Sequence, residues 1–305
     1  MPTISVVIPA YNAERTIIET IQSVQQQTFS DFEIIVINDG SIDRTIELLG
    51  TIADQRIKVF SYENAGLPTA RNRGIKNAGG EFIAFLDADD MWTPDKLQLQ
   101  LAALENHPDA AVAYSWNYFK YEKEEDSYAD CSSFFEGNVY EDLLVKNFVQ
   151  NGSNPLIRKQ VIDTVGFFDP TLKSCEDWDF YLRLAAKWNF ALVQKPQVIY
   201  RQSSNSMTSK IDVMKKYMLI VIDRAFTEAP KELQYLKKQS IAWVHNYIAH
   251  QYLKYTTNRT KDLNLAGYEL CSAIYIYPKV VLEQYTQGLI RHFLKKCLAV
   301  QFDII

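Results

Sequence analysis

Short apolar runs alternate with segments of helical spacing over the first ninety residues. The apolar runs are rich in β-branched residues, which is typical of strands buried on both faces. They cover residues 4–8, 32–37, 57–60 and 82–86. Between them, apolar residues recur every three or four positions, which predicts helices, the first with Asn12 as its candidate cap and another over 67–77. This alternation predicts an α/β fold with a mostly parallel sheet flanked by helices.

Beyond residue 110 the strand signals become sparse and then give way to helical patterns. Further strands are predicted at 111–119, 155–158 and 191–200, and a helix at 177–187. The mostly acidic segment 122–130 is interpreted as a loop. Amphipathic helices are then predicted at 217–226, 233–255 and 281–300. We therefore divide the chain into an α/β catalytic domain, residues 1–210, and a helical C-terminal region, residues 211–305.

Composition and charge narrow the classes of function. The chain has 305 residues, of which 47% are hydrophobic and 23% charged, so it can bury a sizeable core. Its formal net charge of −5 argues against nucleic acid as a partner, because nucleic-acid binding requires a basic surface. The 13 basic and 8 acidic residues after residue 210 give that region a positive balance, whereas the first 210 residues are acidic. We expect the two regions to have different roles.

The sequence also carries signals about its compartment. The four cysteines lie far apart, without the spacing of a zinc site or a disulfide framework, which fits a reducing compartment. The N-terminus lacks the basic segment of a signal peptide, and the longest apolar runs are far shorter than the ~18 residues of a membrane span. We expect a cytoplasmic protein, with peripheral contact at the inner face of the membrane left open.

Each of the first four predicted strands is followed by a short polar or glycine-containing motif. The motifs are Pro9-Ala10-Tyr11-Asn12, Asp39-Gly40-Ser41, Asn64-Ala65-Gly66 and Asp87-Ala88-Asp89. In an open parallel sheet, ligands bind beyond the carboxyl ends of the strands, so the four motifs are expected to converge on one edge. That convergence predicts a ligand site there.

Asp87 and Asp89 form an Asp-x-Asp motif directly after an apolar strand. In extended backbone both carboxylates point the same way, and their repulsion is relieved when a cation lies between them. Mg²⁺ or Mn²⁺ is the natural choice, bound by one or two carboxylates and substrate phosphates. The alternative is an ordinary turn and helix cap.

Two residues on this edge have two interpretations each. The Asp39 carboxylate could accept a hydrogen bond from a base imino group or a ribose hydroxyl, or it could cap the following helix together with Ser41. Arg71 lies on a predicted helix, where it could reach the ligand or form a structural ion pair.

Two further residues suggest transfer chemistry. Asp177 opens a helix, where an acid is either a favourable partner of the helix dipole or a general base. Arg201 ends the last predicted strand, and its guanidinium matches the oxygens of a diphosphate. Signatures of other chemistries (GxGxxG, GxxxxGK[ST], HExxH and GxSxG) are absent from the sequence.

In this order, the motifs resemble those of the family-two glycosyltransferases of GT-A fold. The matching blocks span Ile4 to Asn12, Val36 to Ser41, Asn64 to Asn72, Phe85 to Asp90, Val165 to Asp169, Cys175 to Arg183, and Tyr200-Arg201. They cover about residues 3 to 208 in family order. The resemblance implies a Rossmann-like GT-A catalytic domain with a C-terminal α-helical extension.

The resemblance also implies an activity, namely inverting transfer of one sugar from a nucleotide-diphosphate donor, with UDP the expected nucleotide, to an acceptor hydroxyl. The acceptor would be a glycan or a lipid-linked sugar in cell-surface polysaccharide or glycolipid assembly. The residues implied to bind the donor are Pro9, Ala10, Tyr11, Glu14, Asp39, Gly66, Arg71, Asp87, Ala88 and Arg201. Asp87 would contact the ribose and Arg201 the diphosphate. Asp89 would hold Mn²⁺ or Mg²⁺, and Asp177 would deprotonate the acceptor.

The chain departs from the family pattern at two positions. Asn38 stands where the family usually has an acid before Asp39, and Ser203 stands where a histidine near the metal is common. Two other functions therefore stay open. A GT-A-like nucleotidyltransferase would share the sheet but usually has a Gly-x-Gly-Thr-Arg loop, which the chain lacks. A degenerate protein would bind nucleotide sugars without turnover.

The helical C-terminal region has its own candidate surface. Basic and apolar residues mix in the segment 289–298, as in helices that lie on a membrane surface. A helix packed on the catalytic domain or in a homodimer is the other interpretation.

Overall fold

The computed structural model describes residues 1–121, 127–202, 210–254 and 259–302. In these residues nine strands form one sheet. They are β1 (Ile4–Ala10), β2 (Phe32–Asn38), β3 (Ile57–Ser61), β4 (Phe82–Phe85), β5 (Met91–Trp92), β6 (Ala110–Tyr121), β7 (Ser127–Asp130), β8 (Leu156–Arg158) and β9 (Asn189–Gln202). The order across the sheet is β3-β2-β1-β4-β8-β6-β9-β5, and β7 pairs with β6.

The first four strands in this order are parallel, as predicted from their apolar runs. All seven residues of both β1 and β2 are buried, which explains why these strands are continuously apolar. β8 runs antiparallel between β4 and β6, and the long strands β6 and β9 are parallel to each other. The predicted α/β fold with helices flanking a mostly parallel sheet is confirmed.

Seven helices lie between the strands in the described part of the chain. They are α1 (Ile17–Gln25), α2 (Thr45–Leu49), α3 (Leu67–Asn77), α4 (Lys96–Asn106), α5 (Tyr140–Val145), α6 (Lys159–Val165) and α7 (Glu176–Ala185). Gly74 lets α3 approach the sheet closely, since a Cβ atom there would lie 2.1 Å from Cγ1 of Val7 on β1. This close packing places the basic residues of α3 beside the strand ends.

The chain divides into two compact units, Met1–Tyr140 with Phe148–Ser203, and Glu141–Asn147 with Ser204–Ile305. The helices of the second unit that follow residue 210 are α8 (Ile211–Glu228), α9 (Lys237–Lys254), α10 (Arg259–Ile276) and α11 (Gln284–Phe302), with 3₁₀ helices at Lys231–Leu236 and Pro278–Leu282. Across the described residues, no helix combines the length and apolar character needed to cross a bilayer. The domain boundary that we place at residue 210 stays a prediction.

Two local predictions need correction, and one helix has no counterpart in the predictions. Residues 127–130 of the predicted acidic loop form β7, because they pair with β6, while residues 122–126 lie outside the described residues. Asn12 does not cap the first helix, which begins at Ile17; its side-chain oxygen accepts a hydrogen bond from Ile42 N–H instead. α10 was not predicted, because its buried face includes small residues such as Ala266 and Ala273 and has little hydrophobic contrast.

Candidate active site

The ends of β1, β2, β4 and β9 carry most of the residues that the sequence singled out. Asp39 comes directly after β2, and Asp87 lies two residues beyond β4. Arg201 is near the end of β9, and its backbone N–H donates to Asp90 Oδ1 (3.0 Å) beside the Asp-x-Asp motif. The structure therefore brings Arg201 next to Asp90, which lies 111 positions earlier in the sequence.

A buried arginine links two of the elements at this edge. Arg71 on α3 is 1% exposed, and its Nη2 lies 2.7 Å from Asp87 Oδ1 while its Nη1 lies 2.6 Å from Glu176 Oε1. Burial alone would lower the pKa of Arg71, but the Asp87 and Glu176 carboxylates raise it above its ordinary value. Arg71 thus forms the structural ion pair that is one of its two interpretations, and its partner Asp87 is itself a predicted site residue.

Asp177 lies in the first turn of α7, next to Glu176. Desolvation and the neighbouring Glu176 carboxylate raise the pKa of Asp177 to about 7, against the opposing effect of the Arg71 charge. The residue before the helix, Cys175, has a φ of 61°, a left-handed conformation that non-glycine residues adopt at a cost of about 1–3 kcal/mol. A half-buried carboxyl group with a pKa near neutrality is suited to accept a proton from a substrate hydroxyl.

The Asp89 residue is exposed to solvent. Its carboxylate is nevertheless partly desolvated by the surrounding protein, which disfavours the charged form. Desolvation and the Asp87 carboxylate raise the pKa of Asp89 to about 6, while Arg201 acts in the opposite direction. Among the described residues, no group of three or more His, Cys, Asp or Glu side chains is arranged to hold a metal ion. The crowded carboxylates still fit a Mg²⁺ or Mn²⁺ ion that takes its other ligands from phosphate and water, because a cation would relieve their repulsion.

Arg201 has hydrogen-bond donors to spare. Its Nη1 donates to Glu19 Oε2 at 2.7 Å, whereas its Nε and Nη2 are buried and have no hydrogen-bond partner among the residues that the structure describes. A buried hydrogen-bond donor without a partner costs free energy. Two such donors on one positively charged side chain are therefore suited to bind an anion. The positive charge of Arg201 also lowers the pKa of Asp89, against the effect of burial.

Asp39 is 3% exposed, and its carboxylate is hydrogen-bonded to residues just before α3 and on α3 itself. Its carboxylate accepts hydrogen bonds from the N–H groups of Ala65 and Gly66 and from Nη1 of Arg73 (2.7 Å). It does not cap the following helix with Ser41, since α2 begins later, at Thr45. Asp39 instead organises the Gly66 turn.

The remaining predicted donor residues differ in accessibility. Pro9 and Ala10 are buried at the end of β1, while Tyr11 and Glu14 are exposed just beyond it. Ala88 is buried, and its carbonyl oxygen accepts a hydrogen bond from the Thr20 hydroxyl at 2.9 Å.

The two departures from the family pattern have different outcomes. The Asn38 side chain is buried, donates to Ser61 Oγ and accepts from Ser41 N–H, so it serves the local backbone where the family has an acid. Ser203 lies outside the described residues.

The structure brings several further residues to this edge that the sequence alone does not reveal. Glu176 and Asp90 stood inside recognised motifs but were given no role, because their partners are distant in sequence. Gly152 and Ser153 carried no signal, since they belong to an irregular segment without periodicity. A Cβ atom at Gly152 would lie 2.1 Å from Arg71 Nη2, so glycine is needed there for the buried guanidinium.

Three features of the structure are those of a GT-A-fold glycosyltransferase. They are the carboxylates at the ends of parallel strands, a carboxyl group with a pKa near neutrality, and the topology of the sheet. The chain belongs to the family described as "Glycosyltransferase like family 2", whose model matches residues 5–254.

Two curated relatives illustrate the similarity. An uncharacterized glycosyltransferase of Rickettsia felis is 34% identical over 215 residues, which are 67% of this chain and 34% of the relative's length. The chain therefore spans about a third of that protein. The Escherichia coli enzyme WfgD, "UDP-Glc:alpha-D-GlcNAc-diphosphoundecaprenol beta-1,3-glucosyltransferase", is 43% identical over 102 residues, 33% of this chain and 40% of that enzyme.

Solved structures agree on the fold. TarS 1–349 of S. aureus, in complex with UDP-GlcNAc, has a TM-score of 0.65 and 19% identity, covering 99% of this chain and 92% of that one. The mannosyltransferase PcManGT of Pyrobaculum calidifontis, in complex with GDP-Man and Mn²⁺, has a TM-score of 0.63 and 14% identity, covering 99% and 88%. These similarities establish the GT-A fold.

Proposed function

We propose that the protein is an inverting glycosyltransferase that moves one sugar from a UDP-sugar to an acceptor hydroxyl. The observation that carries the proposal is the Asp177 carboxyl group, whose pKa is raised to about 7. The charges of Asp87 and Arg71 are among those that set this pKa. A proton acceptor beside a donor-binding edge is what transfer to a hydroxyl requires.

The proposed reaction is a single displacement at the anomeric carbon. The acceptor oxygen forms a bond to that carbon as the bond between the carbon and the diphosphate oxygen breaks, and the electron pair of the broken bond stays on the diphosphate. The proton of the acceptor hydroxyl passes to the Asp177 carboxylate. Attack from the face opposite the leaving group inverts the anomeric configuration. Arg201 stabilises the negative charge on the diphosphate through Nε and Nη2, which have no partner within the described residues.

The donor lies along the strand ends in this proposal. Exposed Tyr11 faces the base, and Asp87 contacts the ribose while Arg71 holds its carboxylate in place. Uridine is the proposed base because TarS has been solved with UDP-GlcNAc and WfgD is described as using UDP-Glc. The sugar itself follows from neither similarity.

A divalent metal, Mn²⁺ or Mg²⁺, is part of the proposed donor site. Asp89 holds it, and the metal supplies positive charge to the diphosphate when bound. Two features support this role, namely the crowding of Asp89 and Asp87 and the Mn²⁺ in the complex of PcManGT, which shares the fold.

The proposed acceptor is a lipid-linked sugar or a glycan in the assembly of cell-surface polysaccharide or glycolipid. WfgD, similar over a third of this chain, is described as acting on a diphosphoundecaprenol-linked sugar. Such an acceptor lies at a membrane, and α11 exposes Leu294 and Leu298 together with Arg291 and Lys295, a combination suited to an anionic lipid surface. Co-sedimentation with anionic liposomes, compared for the wild type and Leu294→Ser/Leu298→Ser, tests this contact; equal sedimentation would favour a homodimer through these helices.

Calorimetric binding of UDP, GDP, CDP and dTDP, each with and without Mn²⁺, tests the donor site directly. We expect one nucleotide, UDP, to bind in a metal-dependent way, and Asp89→Ala to lose that dependence. If none of the four binds, the fold has been kept without the chemistry. If UDP binds but no sugar is transferred, the degenerate binding protein becomes the better assignment.

A further inference from the structure

An irregular segment, residues 150–154, lies between α5 and β8, and its residues 151–154 are buried. Gln150 has a φ of 79°, a left-handed conformation, and Asn151, Ser153 and Asn154 are at most 3% exposed. Side chains satisfy its backbone, for example where Asn151 Oδ1 accepts from Ser153 N–H. A buried segment without regular structure is costly unless its polar groups are paired, so its conformation is closely specified.

Ser153 lies at the centre of a chain of hydrogen bonds through the proposed donor site. The backbone N–H of Asp87 donates to Ser153 Oγ (3.0 Å), and the Ser153 hydroxyl donates to Asp90 Oδ2 (2.5 Å). The other oxygen of Asp90 accepts from the backbone N–H of Arg201 at 3.0 Å. One serine hydroxyl and one buried carboxylate therefore connect the Asp-x-Asp turn to the strand that carries Arg201.

Two further residues bind the backbone of the segment 150–154. The indole N–H of Trp92 donates to the carbonyl oxygen of Ser153 at 2.8 Å. The Tyr181 hydroxyl, on the helix that carries Asp177, donates to the carbonyl oxygen of Asn151 at 3.0 Å. The segment thus contacts the elements that bear Asp87, Asp177 and, through Asp90, Arg201.

We propose that Ser153 is a positioning residue for the donor, which fixes the Asp87–Asp90 turn relative to Arg201 so that the metal-bearing carboxylate and the free guanidinium donors meet one diphosphate. This role rests on the proposed function. It requires the hydroxyl itself, because that group accepts one hydrogen bond and donates another. An alanine at this position loses both bonds while keeping the backbone contacts.

The chain offers a matched control in Ser5, at the amino end of β1. Ser5 is also fully buried, and its Oγ accepts from Gly80 N–H (2.9 Å) and donates to the Glu33 carboxylate (2.6 Å). Ser153→Ala and Ser5→Ala thus remove the same kinds of bond from buried sites, one at the carboxyl ends of the strands and one at the opposite end of β1.

The experiment measures UDP binding with Mn²⁺ by calorimetry, and the melting temperature, for the wild type and both variants. Both variants are expected to melt at lower temperature. Only Ser153→Ala is expected to bind UDP more weakly, by about 10–100-fold, the usual cost of losing a group that orients a ligand-binding residue. The KM for the donor sugar should rise in the same variant.

Wild-type UDP affinity in a folded Ser153→Ala protein would overturn the proposal, and so would an equal loss of affinity in Ser5→Ala, which would indicate a general effect of stability. Should Ser153→Ala fail to fold, Ser153→Cys takes its place, and wild-type binding by that variant overturns the proposal as well. A wild-type protein that binds no nucleotide would remove the proposed function and this role with it, whereas normal binding by the Ser153 variant removes only the role.

Discussion

Arg71 and Glu176 form a buried ion pair, with Nη1 2.6 Å from Oε1, across 105 residues of sequence. The same guanidinium binds Asp87 through its other terminal nitrogen. One buried cation therefore joins the carboxylate proposed for the ribose to the helix that carries the proposed base, Asp177. Both halves of the proposed site, the donor side and the acceptor side, therefore contact a single side chain.

The first prediction concerns the pH dependence of transfer. Asp177 accepts a proton only when deprotonated, and its pKa is raised to about 7. Transfer, measured as kcat/KM for the acceptor, is therefore expected to fall about tenfold per pH unit below pH 7 and to level off above it. A profile that stays flat down to about pH 5, near the ordinary range of carboxyl groups, would contradict this assignment.

The second prediction separates binding from chemistry. Asp177→Asn keeps the size of the side chain but cannot take up the proton of the acceptor. We expect UDP affinity to be unchanged and transfer to fall by about 10²–10⁴-fold, the usual contribution of a general base. Asp179→Asn is the matched control, because Asp179 lies in the same helical turn but pairs with Arg183. Wild-type transfer by Asp177→Asn would disprove the role.

The third prediction concerns stability. Arg71→Gln leaves the carboxylates of Asp87 and Glu176 without their buried partner, which typically costs about 3–5 kcal/mol of unfolding free energy. Arg56→Gln breaks an ion pair to Asp54 that is more exposed, and it should cost no more than about 1 kcal/mol. Urea denaturation of both variants makes the comparison.

The same substitution has a second, independent consequence. The charge of Arg71 lowers the pKa of Asp177, so its removal should move the acid limb of the pH–rate profile to higher pH. Glu176→Gln should move that limb the other way, because the Glu176 charge raises the pKa of Asp177. Shifts in the same direction for both variants would show that changes in structure, rather than charge, dominate.

The fourth prediction tests the unpartnered donors of Arg201. Arg201→Gln removes the charge of the side chain and with it the proposed hydrogen bonds to the diphosphate. Such charge-assisted bonds are worth about 1.5–3 kcal/mol each, so UDP binding should weaken by at least about tenfold. Uridine, which lacks the diphosphate, should bind both proteins equally in the same calorimetric experiment. An equal loss for uridine and UDP would mean that Arg201 supports the pocket as a whole.

Much of the fold and part of the site could be predicted because their signals are local. Buried parallel strands are continuously apolar, and α3 spans residues 67–77 as its pattern predicts. The motifs at the strand ends could be located because the strand boundaries themselves could be predicted. The ion pair of Arg71 with Glu176 and the contacts of Ser153 depend instead on where distant segments meet, and nothing in the spacing of either residue reveals the partner.

A buried lysine gives the last prediction, which concerns stability alone. Lys96, at the start of α4, is fully buried with its Nζ 3.9 Å from the centre of the Trp92 ring, and Nζ has no hydrogen-bond partner in the described part of the chain. Burial lowers the pKa of Lys96 well below its ordinary value. At a pH above that lowered pKa, the unfolded chain still carries the proton on Lys96, and folding releases it. Stability is therefore expected to rise with pH up to the pKa of an unfolded lysine, about 10.4.

Replacing this lysine by an apolar residue of similar length should remove that cost. We expect Lys96→Met to stabilise the protein by about 1–3 kcal/mol at neutral pH, the usual penalty of an unsatisfied buried polar group, and to flatten the rise of stability with pH. Lys76→Met, at an exposed position on α3, should change stability by no more than about 0.5 kcal/mol. Urea denaturation at about pH 7 and about pH 9 measures both effects. A destabilised Lys96→Met protein would mean that contact between the ammonium group and the Trp92 ring outweighs the cost of burying it.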